Sequence, residues 1–273
     1  MTKVIFNADD FGISPGVNQA IFKAHAEGIL NSTSLMVNQQ FADEAVKMAQ
    51  KMPNLSVGLH INLTNETPAA NSDDIPLLVG ADGKFKNGFV KLLILSFLHP
   101  KKLQSEAYLE VKAQIEKYLK TGLKLEHLDG HRHVHMIPAI FKAVKQLQTE
   151  YNVPRIRVMN ENLLNTIRQN RGCSYLFDGG LIKYFLLRFL SLINRHTEKT
   201  YFYTILYTCK LSKAQFQNVK IPAGYDAVEI MIHPGMPEID TGKDYLWDEN
   251  ILSPYRTQEL ELLLDKEILK GIR

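Results

Sequence analysis

Short apolar runs alternate with amphipathic helical stretches along the first sixty residues, and this alternation narrows the fold more than any other feature. Val4-Ile5-Phe6 reads as a buried strand. Ser14-Pro15 opens a helix with Val17, Ala20, Ile21 and Ala24 on one face, and Gly28 stops it. Residues 32–37 read as a second strand, 41–52 as a helix ended before Pro53, and 56–61 as a third strand. Strand–helix–strand–helix–strand predicts a parallel α/β fold. Residues 62–86, rich in Asn, Asp, Thr, Pro and Gly, predict a long loop. Helices are expected over 91–98, 103–119 and, begun at Pro138, 139–150; short strands are expected over 124–129 and 155–158. Residues 160–220 carry the weakest signal: an amphipathic helix over 181–193 and an edge strand or loop over 199–210. Residues 227–232 read as the last strand, and 256–269 as a terminal helix with Leu260, Leu263, Leu264 and Ile268 on its core face. With no repeat, linker or shift in composition, the expectation is one domain over 1–273, with 160–220 as a variable insertion.

Composition removes several function classes. The 32 basic and 29 acidic side chains nearly balance, so no electrostatic footprint for nucleic acid exists. Cys173 and Cys209 do not make a disulfide framework, which points to a reducing compartment. The short run Val4-Ile5-Phe6 is no signal peptide. Residues 181–193 carry Lys183 and Arg188 and are too short to span a bilayer. The expectation is a soluble cytoplasmic protein with no nucleic-acid or membrane partner. The apolar face of 181–193 is the candidate surface for a homodimer.

Four of the nine histidines crowd between His127 and His135, with Asp129 among them. Imidazole is the commonest metal ligand and the commonest acid or base near neutral pH. Asp9-Asp10, His60, the His127–His135 stretch and His233 each lie at or just after the C-terminal end of an expected strand. In (β/α) barrels the active site is built at that end, from the tips of several strands. If the strands close, these segments meet at one mouth. Adjacent carboxylates then suit a division of labour, one on a metal and the other as a base. Neighbours on an extended segment point in opposite directions, so the two do not easily do the same job. A mixed carboxylate–imidazole set leaves positions open for water and substrate, as catalytic metal sites do. From the residues alone, the reading stops at a metal-assisted hydrolase.

The motifs Asn7-Ala8-Asp9-Asp10-Phe11-Gly12, Gly58-Leu59-His60, His127-Leu128-Asp129-Gly130-His131-Arg132-His133-Val134-His135 and His233-Pro234 resemble the YdjC-like carbohydrate deacetylases, which include the chitooligosaccharide deacetylases. The resemblance covers residues 3 to about 160 and about 226 to 270. It implies an α/β fold, a distorted (β/α) barrel related to the NodB-type polysaccharide deacetylases. It also implies hydrolysis of an N-acetyl group on an amino sugar, releasing acetate. Carried over residue by residue, Asp10, His60 and His131 match metal-binding positions, Asp9 the catalytic base and His233 the general acid. Arg157 matches an arginine that orients the base. His133 and His135 are candidates for contact with the sugar, and Arg132 follows the metal histidine. The implied cofactor is one divalent ion. Two histidines and one carboxylate suit Zn²⁺, Co²⁺ or Mn²⁺, whereas Mg²⁺ prefers more oxygens; Zn²⁺ and Mg²⁺ both stay open. Two alternatives remain: another metal-dependent barrel hydrolase, such as a phosphoesterase or amidohydrolase, and a sugar- or metal-binding relative without catalysis.

Overall fold

The computed structural model describes residues 3–169, 179–216, 219, 221–244 and 249–272. Six strands pair in parallel: β1 (Lys3–Phe11), β2 (Ser32–Leu35), β3 (Ser56–Ile61), β4 (Leu128–Gly130), β5 (Thr200–Tyr203) and β6 (Ala227–Ile232). Their order across the sheet is β4-β3-β2-β1-β6-β5. The helices are α1 (Pro15–Glu27), α2 (Ala42–Ala49), α3 (Phe89–Leu98), α4 (Pro100–Leu119), α5 (Pro138–Glu150), α6 (Leu163–Gln169), α7 (Gly180–Ile193), α8 (Pro237–Asp240) and α9 (Pro254–Leu264). Helix α1 begins as expected: the Ser14 hydroxyl accepts from the Val17 amide at 3.2 Å and Pro15 occupies the first turn. No described helix is long and apolar enough to cross a membrane.

The sheet curls into half a barrel. Arg157 lies beyond β4 in sequence, yet it reaches Asp9 on β1 and Glu229 on β6 across the concave side. Between the edge strands β4 and β5, residues 155–160 form a seam rather than the expected strand. One bridge joins Leu128 to Ile156, with Leu128 N donating to Arg155 O and Arg157 N to Leu128 O, both at 2.9 Å. Towards β5 the Asn160 side chain replaces a ladder: its amide donates to Thr200 O at 2.8 Å and accepts from Phe202 N at 2.7 Å.

Other boundaries moved for local reasons. The strand expected over 124–129 is regular only from Leu128, because the Tyr118 hydroxyl bonds both Val57 O (3.0 Å) and Lys124 O (3.1 Å). β2 stops at Leu35 because Met36 donates to Phe11 O and then turns, with Gln39 N on Met36 O. The 41–52 helix ends at Ala49 in a tight turn, Met52 N to Ala49 O. The terminal helix ends at Leu264, where the Asp265 side chain takes the Glu267 amide and starts a 3₁₀ turn over Lys266–Gly271. The 62–86 loop is anchored by two buried carboxylates of α4. Glu110 accepts from the Ala69 and Ala70 amides and Glu106 from those of Leu77 and Leu78, which settles four backbone donors in irregular chain. The segment expected as an edge strand or loop over 199–210 supplies edge strand β5. Cys173 lies outside the described residues.

Candidate metal centre and active site

The tip of β1 departs from regular strand. Ala8 to Phe11 is three steps on β1, against two from Thr33 to Leu35 on β2, so one extra residue is inserted at Asp9-Asp10. Asp10 sits at φ 68°, a left-handed conformation that a non-glycine residue adopts at a cost. The bulge overrides strand alternation. Both carboxylates enter one buried cluster, where His60 Nε2 lies 3.9 Å from Asp9 Oδ2 and 3.5 Å from Asp10 Oδ1. The expectation that neighbours must point apart fails here for that reason.

His60 is the penultimate residue of β3 and lies beside Asp129 on β4, its register partner. Its Nδ1 lies 2.7 Å from Asp129 Oδ1, which fixes the ring and turns Nε2 towards the aspartates. Burial pushes the His60 imidazole down, but the charges of Asp129 and Asp9 and a hydrogen bond to Asp10 outweigh it and lift it to about 10. His131 follows β4; its Nδ1 lies 2.9 Å from Asp10 Oδ1. Burial alone pushes the Asp10 carboxyl up. Hydrogen bonds from His131 and His60 and the charge of Arg256 reverse this and hold it well below the usual carboxylate range.

One donor atom each from Asp10, His60 and His131 falls within a 4.8 Å span, the right scale for a single cation. A second group, Asp9, His60 and Asp129, meets the same limit. It is the weaker candidate, because Arg157 bonds both Asp9 oxygens and also pairs with Asp129 Oδ2. In the first group, a carboxylate on the far nitrogen of His60 is the usual way of aiming a metal-binding imidazole. The donor chemistry therefore fits a divalent ion.

Arg157, 1% exposed, joins the acidic groups of three strands. It donates to Asp9 at 2.6 and 2.7 Å and to Glu229 on β6 at 2.7 Å, and it pairs with Asp129 on β4 at 2.7 Å. Burial disfavours its charge, and those carboxylates raise its pKa above the ordinary arginine value. His233 follows β6, with Nε2 3.9 Å from Asp9 Oδ2. Burial pushes its ring down to about 4, against the upward pull of Asp9 and Asp10. His133 lines the cavity and takes a left-handed φ of 57°. His135, expected to contact the sugar, is instead fully buried and outside the cavity wall, its Nε2 3.1 Å from the Arg157 carbonyl. His127 packs its ring against Gly58 and lies 3.1 Å from Ser34 Oγ.

A cavity of about 560 Å³ opens over the cluster, with Asp9, Asp10, His60, His131 and His233 in its wall. Two residues on its α9 side escape motif reading. Arg256 donates to Asp10 Oδ2 at 2.7 Å and to Asn250 O at 3.0 Å. Glu259, one helical turn later, accepts from the His233 amide at 2.6 Å and the Leu211 amide at 3.2 Å. Burial raises the Glu259 carboxyl to about 7 against those bonds. The signal was present in the sequence: Arg256 and Glu259 sit four residues before Leu260 and Leu263, so both charges fall on the helix face assigned to the core.

The profile of the family described as YdjC-like protein matches residues 3–273. This chain belongs to the YdjC-like family. Among YdjC-like relatives, it is 34% identical over 273 residues to a Brevibacillus brevis protein named carbohydrate deacetylase, covering 99% of this chain and 94% of that one. A Clostridium beijerinckii protein of the same name is 29% identical over 277 residues, with the same coverage of 99% and 94%. A Vibrio cholerae protein of that name is 39% identical over 153 residues, 56% of this chain and 57% of that one. Among solved structures, an Enterococcus faecalis V583 protein described as a proposed cellobiose-phosphate cleavage protein superposes with a TM-score of 0.67 at 23% identity, covering 99% of this chain and 93% of that one. That likeness supports the fold of this YdjC-like chain.

Proposed function

We propose that this YdjC-like chain is a metal-dependent carbohydrate N-deacetylase that hydrolyses the N-acetyl group of an amino sugar in a chitooligosaccharide or similar di- or oligosaccharide. One observation carries the reading: Asp9 and His233 stand 3.9 Å apart beside the Asp10–His60–His131 donor set, in one cavity. The names of the relatives supply the substrate class.

Asp10, His60 and His131 would hold the ion. A divalent ion there supplies Lewis acidity towards the amide carbonyl and the attacking water, and Zn²⁺ and Mg²⁺ are the candidates. Asp9 is the general base. Arg157, bonded to both of its oxygens, fixes the carboxylate against rotation, while His135 holds the Arg157 backbone. Asp9 takes a proton as water attacks the carbonyl carbon. His233 is the acid on the amine side. Its ring lies between Asp9 and Glu259, whose Oε2 is 3.8 Å from Nδ1, so both carboxylates stabilise the imidazolium as it forms. Burial keeps the ring neutral at rest, so it takes up the proton that Asp9 has drawn from the water and hands it to the departing nitrogen, which an unprotonated amine requires in order to leave. His133 meets the sugar from the cavity wall. Phe185, Phe189 and Leu192 on the exposed side of α7 support a homodimer through that face.

Metal analysis of the purified protein, followed by an acetate-release screen over N-acetylated mono- and disaccharides with phosphate esters alongside, tests the reading. Acetate with an equal amount of free amine is the expected result. Hydrolysis of phosphate esters alone would replace the deacetylase with a phosphoesterase.

A further inference from the structure

One part of the cavity wall is apolar, beside polar lining from Arg132, His133, Lys183, Thr208 and Asn250. Phe89 at the start of α3 and Ile182, Leu186 and Leu187 on α7 line the same cavity as Asp10, His60 and His131. Ile182 and Leu186 are one helical turn apart, so they present a continuous aliphatic strip. Ile182 is 77% exposed in this structure, leaving most of its side chain open to cover. Aliphatic side chains offer no hydrogen-bonding groups. Sugar hydroxyls laid on them lose water without gaining partners, whereas an alkyl chain gains by leaving water.

The placement of the cluster decides which end of the substrate meets this wall. α3 and α7 both pack against the His131–Met136 turn. His233, Arg256 and Glu259 come from β6 and α9, so the amine leaves towards those elements. With His233 as the acid on the amine side, the acyl end would lie on the other side of the carbonyl carbon, where α3 and α7 contribute to the cavity wall. The cavity as a whole, sugar side included, is about 560 Å³, and Phe89, Ile182, Leu186 and Leu187 extend its wall beyond the cluster.

We propose that this site hydrolyses N-acyl amino sugars with chains longer than acetyl, the alkyl tail lying along Phe89, Ile182, Leu186 and Leu187. The inference rests on the deacetylase reading and extends it from acetyl to acyl. The reaction balances with water alone: the C–N bond breaks, the water oxygen bonds the acyl carbon, and the nitrogen takes a proton. The products are a carboxylate and the protonated amine, which together carry both protons of the water.

Two readouts on the metal-loaded full chain test it. The first is kcat/KM for amine release from N-acetyl-, N-butyryl-, N-hexanoyl- and N-octanoylglucosamine. The second, independent of turnover, is the affinity of alkyl hydroxamates of the same chain lengths, whose head group binds the cation. Each methylene covered should improve both by about fourfold, which corresponds to about 0.8 kcal/mol. Ile182→Asn and Leu186→Asn should flatten that dependence; Ile182 is exposed enough for its replacement to leave the fold intact. Hydroxamate affinity that stays flat or falls with chain length overturns the proposal. Amine release from the acetyl sugar alone overturns it too, while the deacetylase reading stands. Hydroxamates that tighten with length while no amide is cut overturn the hydrolysis and the deacetylase reading together, and leave only an alkyl-binding wall.

Discussion

Asp9→Asn separates base from metal ligand most sharply. The carboxylate receives two short bonds from Arg157, at 2.6 and 2.7 Å, and one from the Asn7 amide at 2.9 Å. Asparagine keeps one acceptor oxygen and turns an NH₂ towards a guanidinium that can only donate. Arg157 retains Glu229 and Asp129, so its charge stays paired. The cost is one frustrated buried bond, about 1–3 kcal/mol, or roughly 2–4 °C of melting temperature for each kcal/mol. Chemistry should suffer more. Loss of a general base costs about 10²–10⁴-fold in rate, equivalent to roughly 3–5 kcal/mol of barrier. Asp10, His60 and His131 are untouched, so metal content should match the parent. The assay pairs amine release with metal analysis and a thermal melt on one preparation. Full activity in Asp9→Asn refutes the assignment of the base. Loss of the metal refutes the separation of roles and makes Asp9 a ligand.

Three other outcomes follow from the same geometry. Burial holds His127 and His135 each at about 4, below the ordinary histidine value; an unfolded chain therefore binds more protons below pH 6.5, and stability should fall as pH drops from 6.5 towards 4. Each contributes up to about 3 kcal/mol, and chemical denaturation of His127→Gln should show a shallower dependence in that window. Gly58→Ala places a Cβ 2.4 Å from the His127 ring, an overpacking worth about 1–3 kcal/mol; adding His127→Ala should relieve part of it in a thermal melt. Arg256→Gln removes the donor that holds Asp10 Oδ2 and should weaken cation binding about 10–100-fold by calorimetry; unchanged affinity would leave Arg256 with no part in the centre.

Much of this architecture is written in local patterns. The edges of β3 and β6 match the expected strands residue for residue, because both are short, mostly apolar and buried runs paired on both sides. The strand-tip rule placed Asp9, Asp10, His60, His131 and His233 together. What it missed depends on long-range partners. The bulge at Asp10 is visible only against the register of β2. The seam at 155–160 depends on an Asn160 side chain standing in for a strand. Asp129 has no role legible in spacing, yet it binds His60, Ser34 and Arg157 at once, a convergence of three segments that a linear pattern does not reveal.

The inserted residue at the tip of β1 has an engineering consequence. In the proposed mechanism two consecutive side chains of one strand would feed a single chemical event, Asp10 towards the cation and Asp9 towards the water. Any shift of that strand moves both together, so their separation cannot drift as loops elsewhere diverge. Attempts to retune cation preference by remodelling this tip would retune the base as well. The choice of ion is better altered from α9, through Arg256, where a change reaches Asp10 and leaves its neighbour in place.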